Sequence, residues 1–320
     1  MLVNLYESKT PIAVFSLPLL VSLFAITVFV VEPNTISYPT EWQNLLMTTV
    51  HSEVRLNYLL TIFVASITAH QLNNVYNQNS FYSKASFLPG FIYISVLVAL
   101  NCLHFSPTLL AHLFFVWGLG QMLKLRRQEQ AKSIIFKASL LYGLAFIFSP
   151  LQIGLVTLPW IALGIFRPFV WREWVMVLVG VTIPFLYYFV ILYLFEGDLV
   201  FLADPSYGAQ LFTGLHLISW LNYIIFGLIV GGSLLKYLRV SRTEVNRFKL
   251  QSQVLFHFLW IAVFAYFLGW YLYDLTLLSL AIPLSIIIGT QMLHNKNLKV
   301  VNGIVIIWLI ISVANVLIVG

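Results

Sequence analysis

Charge is scarce in this chain. Only 9% of its 320 residues are charged, against 60% hydrophobic and 16% aromatic. A soluble domain carries about a quarter charged residues, so this mixture cannot cover a water-facing surface. Cysteine is scarcer still: Cys102 stands alone, which excludes an intrachain disulfide. It falls inside an apolar segment and reads as a small buried hydrophobe. Absent too are a Gly-rich phosphate loop, a Gly-x-Ser-x-Gly elbow and a local His pair of the HExxH or HxxxH kind. Their absence argues against an ATP-driven pump built from this chain alone and leaves a metal site without support from local sequence.

What the chain has is long apolar runs. A membrane span needs about 20 apolar residues, fewer where neighbouring helices shelter the ends. Such stretches lie at about 11–31, 56–72, 87–104, 107–124, 134–149, 151–166, 174–195, 211–235, 253–270, 272–293 and 300–319. The expectation is an all-α, polytopic transmembrane bundle of about 11 spans, forming a single integral-membrane domain over residues 1–320. The fifth and sixth stretches are separated only by Ser149-Pro150 and read as a tight helical hairpin. The ninth and tenth run almost together through Gly269 to Asp274. Pro159, Pro184 and Pro283 fall inside stretches and are expected to kink them. The first stretch runs into Val-Glu-Pro-Asn at Val31 to Asn34 rather than a small-residue cleavage site, so it is expected to be retained as a signal anchor.

The few charges sort by side. Threaded eleven times, the chain places sixteen of its 17 basic residues in alternate gaps that share one face. Only Arg55 lies opposite. By the positive-inside rule this sets the N-terminus in the cytoplasm and the C-terminus in the periplasm, with a bacterial inner membrane as the default site. The inner side then holds sixteen bases and four acids, the outer side one base and seven acids. That distribution accounts for the net +6 and leaves no Asp, Glu, Lys or Arg at mid-bilayer, where such a group is costly and usually functional. Thin charges in short loops argue against nucleic acid as a partner and for membrane lipids, anionic ones above all.

Chemistry is sought first in the outer loop over residues 32–55. Thr40-Glu41-Trp42-Gln43 has the form of a capping box, which predicts a short helix. Trp42, Leu45, Leu46, Thr49 and Val50 recur at helical spacing, so the helix is amphipathic and suited to the membrane interface. It carries Glu41, His51, Glu53 and Arg55 to headgroup level. A carboxylate held there beside His and Arg is placed to act as a general base toward a sugar hydroxyl, while Arg55 is suited to the phosphate of a polyprenyl carrier. The competing reading is a solvated Glu53–Arg55 pair.

A second outer cluster, Glu196, Asp198 and Asp204, offers carboxylate oxygens to a divalent cation, or is a solvated acidic loop. The seven histidines are scattered; His112, His216 and His257 fall in spans and are expected to make interhelical hydrogen bonds. On the inner side, Arg167-Pro168-Phe169-Val170-Trp171-Arg172-Glu173-Trp174 suits an interfacial anchor. Residues 236–252 form the longest basic cytoplasmic loop, with lipid headgroups or a cytoplasmic partner as candidate ligands.

The segments Ala138 to Ala145, Ser149-Pro150, Leu158-Pro159-Trp160 and Arg167-Pro168…Trp171-Arg172-Glu173-Trp174 resemble an uncharacterised family of bacterial multi-pass inner-membrane proteins. In plan the chain is also similar to the GT-C glycosyltransferases, with a first span, an outer loop bearing acids and an interfacial helix, then many spans. That resemblance implies transfer of a sugar from a polyprenyl-phosphate carrier, with a catalytic acid in the first outer loop: Glu32, Glu41 or Glu53. The loop carries glutamates and no aspartate. Two further readings stand beside it. One is a non-enzymatic membrane subunit of an envelope-biogenesis or secretion complex, with other envelope membrane proteins as partners; the other is a transporter.

Overall fold

A computed structural model describes residues 5–6, 11–30, 43, 47, 50, 53–125, 131–194, 217–273, 277–295 and 297–319. Among them the regular elements are eleven α-helices and two 3-10 segments. In chain order these are α1 (Pro11–Val30), α2 (Val54–Gln78), α3 (Leu88–Ala99), α4 (Pro107–Lys124), α5 (Ala131–Phe148), a 3-10 run over Pro150–Thr157, α6 (Leu158–Phe166) and α7 (Trp171–Leu194). They continue with α8 (Leu217–Thr243), α9 (Asn246–Tyr273), a 3-10 turn over Leu277–Leu280, α10 (Ala281–Leu293) and α11 (Leu298–Val319). Each α-helix overlaps one of the eleven apolar stretches. Five are long and apolar enough to cross a membrane, at Ala131–Phe148, Trp171–Ile191, Leu217–Thr243, Asn246–Phe267 and Lys299–Ile318.

The outer surface of the bundle is apolar. On α1, Ala13, Leu17, Val21 and Phe24 are buried at helical spacing, yet Ile12, Phe15, Leu19, Leu23 and Ile26 on the opposite side are exposed, Phe15 by 78%. A helix in a soluble protein turns polar residues outward; a helix apolar on all sides needs an apolar medium on both. The same holds for α7, where Leu186, Tyr187, Val190, Tyr193 and Leu194 are exposed, and for Trp260, Phe264 and Phe267 of α9. Apolar faces this continuous exceed what a water-soluble monomer presents.

Helix α3 sits at the centre, packed by α1, α2, α8, α10 and α11. All of its residues are buried, and so is every residue of α10 except Gln291. Both fall short of the stretches expected there. At 12 and 13 residues they extend only about 18–20 Å, less than the roughly 30 Å hydrocarbon thickness. Helix ends buried this deep must find partners for their backbone groups inside the protein.

Those partners are present at both ends of α3. At its start, Ser86 Oγ accepts from Leu88 N (3.1 Å) and Asn73 Oδ1 from Gly90 N (2.6 Å). Pro89 has no N–H to satisfy, and Phe91 N reaches Phe87 O (3.3 Å). At its end, Asn101 takes the left-handed conformation (φ 54°). Cys102 N then donates to Leu97 O (2.9 Å) and Asn101 N to Val98 O (3.0 Å), the paired bonds of a Schellman cap. The Ala99 carbonyl is taken by Asn222 Nδ2 from α8 (2.6 Å). Helix α2 closes in the same way: Ser80 is left-handed (φ 52°), Phe81 N bonds Tyr76 O (3.4 Å), and the two rings stack with centroids 5.4 Å apart.

Helix α2 accounts for its polarity by this role. It runs to Gln78, beyond the expected limit at 72, because Asn73 and Asn77 serve the chain that follows. Asn77 pairs its amide with both backbone groups of Ser86 (3.0 and 2.9 Å). Arg247 and Gln251 of α9 both donate to the Asn79 carbonyl beyond the helix end.

The expected hairpin after Ser149 has a more extended form than an α-helix. Ser139 lies against Gly180, and Phe146 against Phe185 with ring centroids 4.7 Å apart, so α5 and α7 are parallel and the chain between them must return. It does so through eight 3-10 residues and nine α residues, a run of about 30 Å because 3-10 geometry rises further per residue. The α5–α7 contact is close because Gly143 and Gly180 admit backbone: a Cβ at Gly180 would lie 2.9 Å from Phe136 O, and one at Gly143 2.9 Å from Val181 O. Residues 236–252, read as a loop, are largely helical. Helix α8 runs to Thr243 and α9 starts at Asn246, which leaves Glu244-Val245 as the connection.

Candidate functional site

The outer pair was the leading candidate. Glu53 is the residue before α2, with extended backbone (φ −111°, ψ 91°), and its side chain makes no capping bond. Its carbonyl accepts from Asn57 N (3.1 Å). Glu53 and Arg55 are both exposed, as are Val54 and Leu56 around them. Among the described residues neither forms an ion pair. Glu32, Glu41, His51, Glu196, Asp198 and Asp204 lie outside the described residues. In the expected interfacial helix, Gln43, Met47 and Val50 are helical and buried. The face they define includes Gln43, whose Nε2 donates to Phe148 O (2.8 Å) at the end of α5. Gln43 is thereby fastened beside the Ser149-Pro150 turn.

A crevice of about 500 Å³ opens between α1 and α2. Val14, Phe15, Leu17 and Pro18 form its apolar wall, and Ser66, His70, Gln71 and Asn74 its polar one. Ser66, His70 and Asn74 share a face because four residues make just over one helical turn. Pro18 offers no N–H to the Val14 carbonyl, so α1 is loosened where the crevice opens. The His70 ring stacks on Phe87 at 5.7 Å, and Ser66 Oγ is buried with no hydrogen-bond partner. A hydroxyl, an imidazole and two amides can donate to and accept from a neutral polar headgroup or a sugar. Among the described residues, no formally charged side chain lines the crevice.

Three further histidines make structural hydrogen bonds. Buried His112 bonds Tyr93 OH through Nδ1 (3.0 Å), joining α4 to α3 as an interhelical histidine should. His257 instead turns back to its own helix at Gln253 O (2.7 Å), and His294 does the same at Thr290 O (2.8 Å). His216 lies outside the described residues. No group of three or more His, Cys, Asp or Glu among the described residues could hold a metal ion.

At the start of α7 the expected anchor has one buried member. Glu173 is 7% exposed at its side chain and lies 3.6 Å from Arg167 Nε, itself 26% exposed. Arg172 lies over the Trp171 ring at 5.8 Å, and Phe169 packs on Trp174. The buried polar contacts of α8 and α11 were not anticipated. Ser312 Oγ donates to Asn222 Oδ1 (2.9 Å), and Ser219 Oγ to Asn315 Oδ1 (2.7 Å). The signal for them was isolated Asn and Ser residues within otherwise apolar runs.

No family model, curated protein or solved structure matches this chain. The fold itself defines the class: an all-α protein of the multi-pass membrane type, with five helices able to cross a bilayer by length and composition.

Proposed function

We propose that the chain is a non-enzymatic multi-pass subunit of the bacterial inner membrane, working in cell-envelope biogenesis alongside other membrane proteins. The eleven helices of the described residues correspond to eleven passes with the N-terminus inside and the C-terminus outside, the short α3 and α10 being carried across by buried flanking turns. The observation that supports a subunit over a transferase is the setting of Glu53 and Arg55. Both stand on open surface, whereas a general base and a phosphate-binding arginine need a shared cavity that excludes water.

Chromosomal Glu53→Gln and Arg55→Ala variants test this. Both are expected to accumulate normally and to support envelope integrity as the parent does. Loss of function in either at normal abundance would overturn the subunit reading in favour of GT-C-like transfer from a polyprenyl-phosphate-linked sugar. Topology is tested by a periplasm-active reporter fused after Gly320, which is expected to give signal; activity only from a cytoplasmic reporter would refute the eleven-pass arrangement.

A further inference from the structure

The glycines of this bundle fall into two groups. At Gly90, Gly118, Gly120 and Gly180 an added Cβ would lie within 2.4–2.8 Å of another residue, so each lets a neighbour approach. At Gly227, Gly231 and Gly232 of α8 and Gly303 of α11 it would meet nothing within 4 Å. Here the missing side chains hold space open rather than close a contact. Of these four, Gly232 lines a cavity of about 320 Å³ between α8 and α11, closed on its third side by the end of α10.

Its lining is graded from end to end. Ile225, Leu228, Ile229 and Ile304 form the apolar length, while Lys236, Gln291 and Asn295 stand together at the other end. Ser233 Oγ donates to Gln291 Oε1 at 3.5 Å, which leaves the amide nitrogen as the donor end. A cation and amide donors at one end of an apolar channel match an amphiphile with an anionic head. The twelve residues from Ile225 to Lys236 extend about 16 Å along the helix, close to the roughly 15 Å hydrocarbon depth of one leaflet. Lys236 belongs to the basic end of α8, which the positive-inside rule places at the inner headgroups.

We propose that this groove binds one anionic phospholipid of the inner leaflet, its phosphate at Lys236, Gln291 and Asn295 and an acyl chain laid along α8 over Gly232. The assignment rests on the membrane reading above for its depth and orientation.

Gly232→Leu projects a side chain into the groove from a Cβ that has open space around it, and leucine favours a helix over glycine. Full-length protein purified in detergent is titrated with phosphatidylglycerol and with phosphatidylcholine of the same chains, and bound lipid is counted by native mass spectrometry. One phosphatidylglycerol per chain is expected, held in preference to phosphatidylcholine. Gly232→Leu, with unchanged thermal stability, is expected to weaken it at least about 10-fold by displacing two or more methylenes. Lys236→Gln is expected to weaken it about 5-fold, the value of one basic residue at a lipid surface. Lys249→Gln, an exposed cation outside the groove, is expected to leave binding unchanged.

Glycerol phosphate, the headgroup without chains, is expected not to compete. Retention of lipid by Gly232→Leu, or equal losses in Lys236→Gln and Lys249→Gln, would overturn the proposal, and so would displacement by glycerol phosphate. Failure of the membrane reading would be seen separately, as chain recovered from cells in the aqueous fraction without detergent.

Discussion

Replacing Asn222 with alanine is expected to destabilise the bundle by about 2 kcal/mol. Asn222 is fully buried and serves two helices at once. Its amide nitrogen holds the Ala99 carbonyl at 2.6 Å and its oxygen accepts from Ser312 Oγ at 2.9 Å. Truncation removes the only described partner of the last α3 carbonyl, and an orphaned buried acceptor costs about 1–3 kcal/mol. Ser312 loses less, because its hydroxyl also reaches the Trp308 carbonyl at 2.8 Å. The membrane lowers the figure: the unfolded helix finds partners there too, and interhelical hydrogen bonds average about 0.6 kcal/mol with a maximum near 1.7. Loss of the side chain's packing adds to that, giving about 2 kcal/mol in total. The assay is reversible unfolding by SDS in mixed micelles, followed by tryptophan fluorescence. Asn222→Leu separates the contributions, since it restores volume without the bond; it should recover under half of the loss. Ser312→Ala should cost about 0.5 kcal/mol. An Asn222→Ala protein within about 0.3 kcal/mol of wild type would show that the α3 end is capped by other means, and the reasoning about buried helix termini would fail with it.

The two groups of glycines predict opposite signs for one substitution. Gly180→Ala places a Cβ 2.8 Å from Ser139 Cβ and 2.9 Å from a backbone carbonyl, so it should cost about 1–3 kcal/mol in the same unfolding assay. Gly227→Ala, with nothing within 4 Å, should be neutral or stabilise by up to about 1 kcal/mol; a matching loss at both sites would refute the distinction. At the start of α7, Arg167→Gln strands the buried Glu173 carboxylate and should cost about 2 kcal/mol, less than for a fully buried pair because Arg167 is 26% exposed. Glu173→Gln leaves no buried charge behind and should cost under about 1 kcal/mol. Equal losses would mean that neither side chain depends on the other.

Much of the fold was legible because the energy of moving a residue from water to hydrocarbon belongs to that residue alone. Summed over a window, it located the eleven helices of the described residues, including the 151–166 stretch that turned out to be part 3-10. It failed on lengths. Residues 87–104 and 272–293 are apolar enough for full helices, but α3 and α10 are short and enclosed, and apolar composition does not distinguish a lipid-facing span from a buried half-length one. The extension of α2 past Leu72 was missed because His70, Gln71, Asn73 and Asn77 look like the end of an apolar run. The amides of Asn73 and Asn77 hold the start of the neighbouring helix, a role defined by chain that follows them.

The outer pair illustrates a second limit. Glu53 and Arg55 drew attention through sequence proximity and an exception to the charge rule. Two residues apart at the start of a helix, they need not face each other, and both are exposed. The crevice beside His70 and the groove beside Lys236 had no comparable motif, since each is lined from more than one helix.

The amino-acid sequence by itself determined the class of this protein: an all-helical chain with too little charge for water and enough apolar length for a bilayer. It also carried the expectation of sidedness, because sixteen bases in alternate gaps need no tertiary contact to be counted. Only the tertiary structure decided which helices are enclosed and where space is left between them. Those properties depend on pairs such as Ala99 with Asn222, 123 residues apart, or Asn79 with Arg247, 168 apart. A hydrogen bond or an open groove is a relation between distant segments, and residue-by-residue transfer energies hold no record of it.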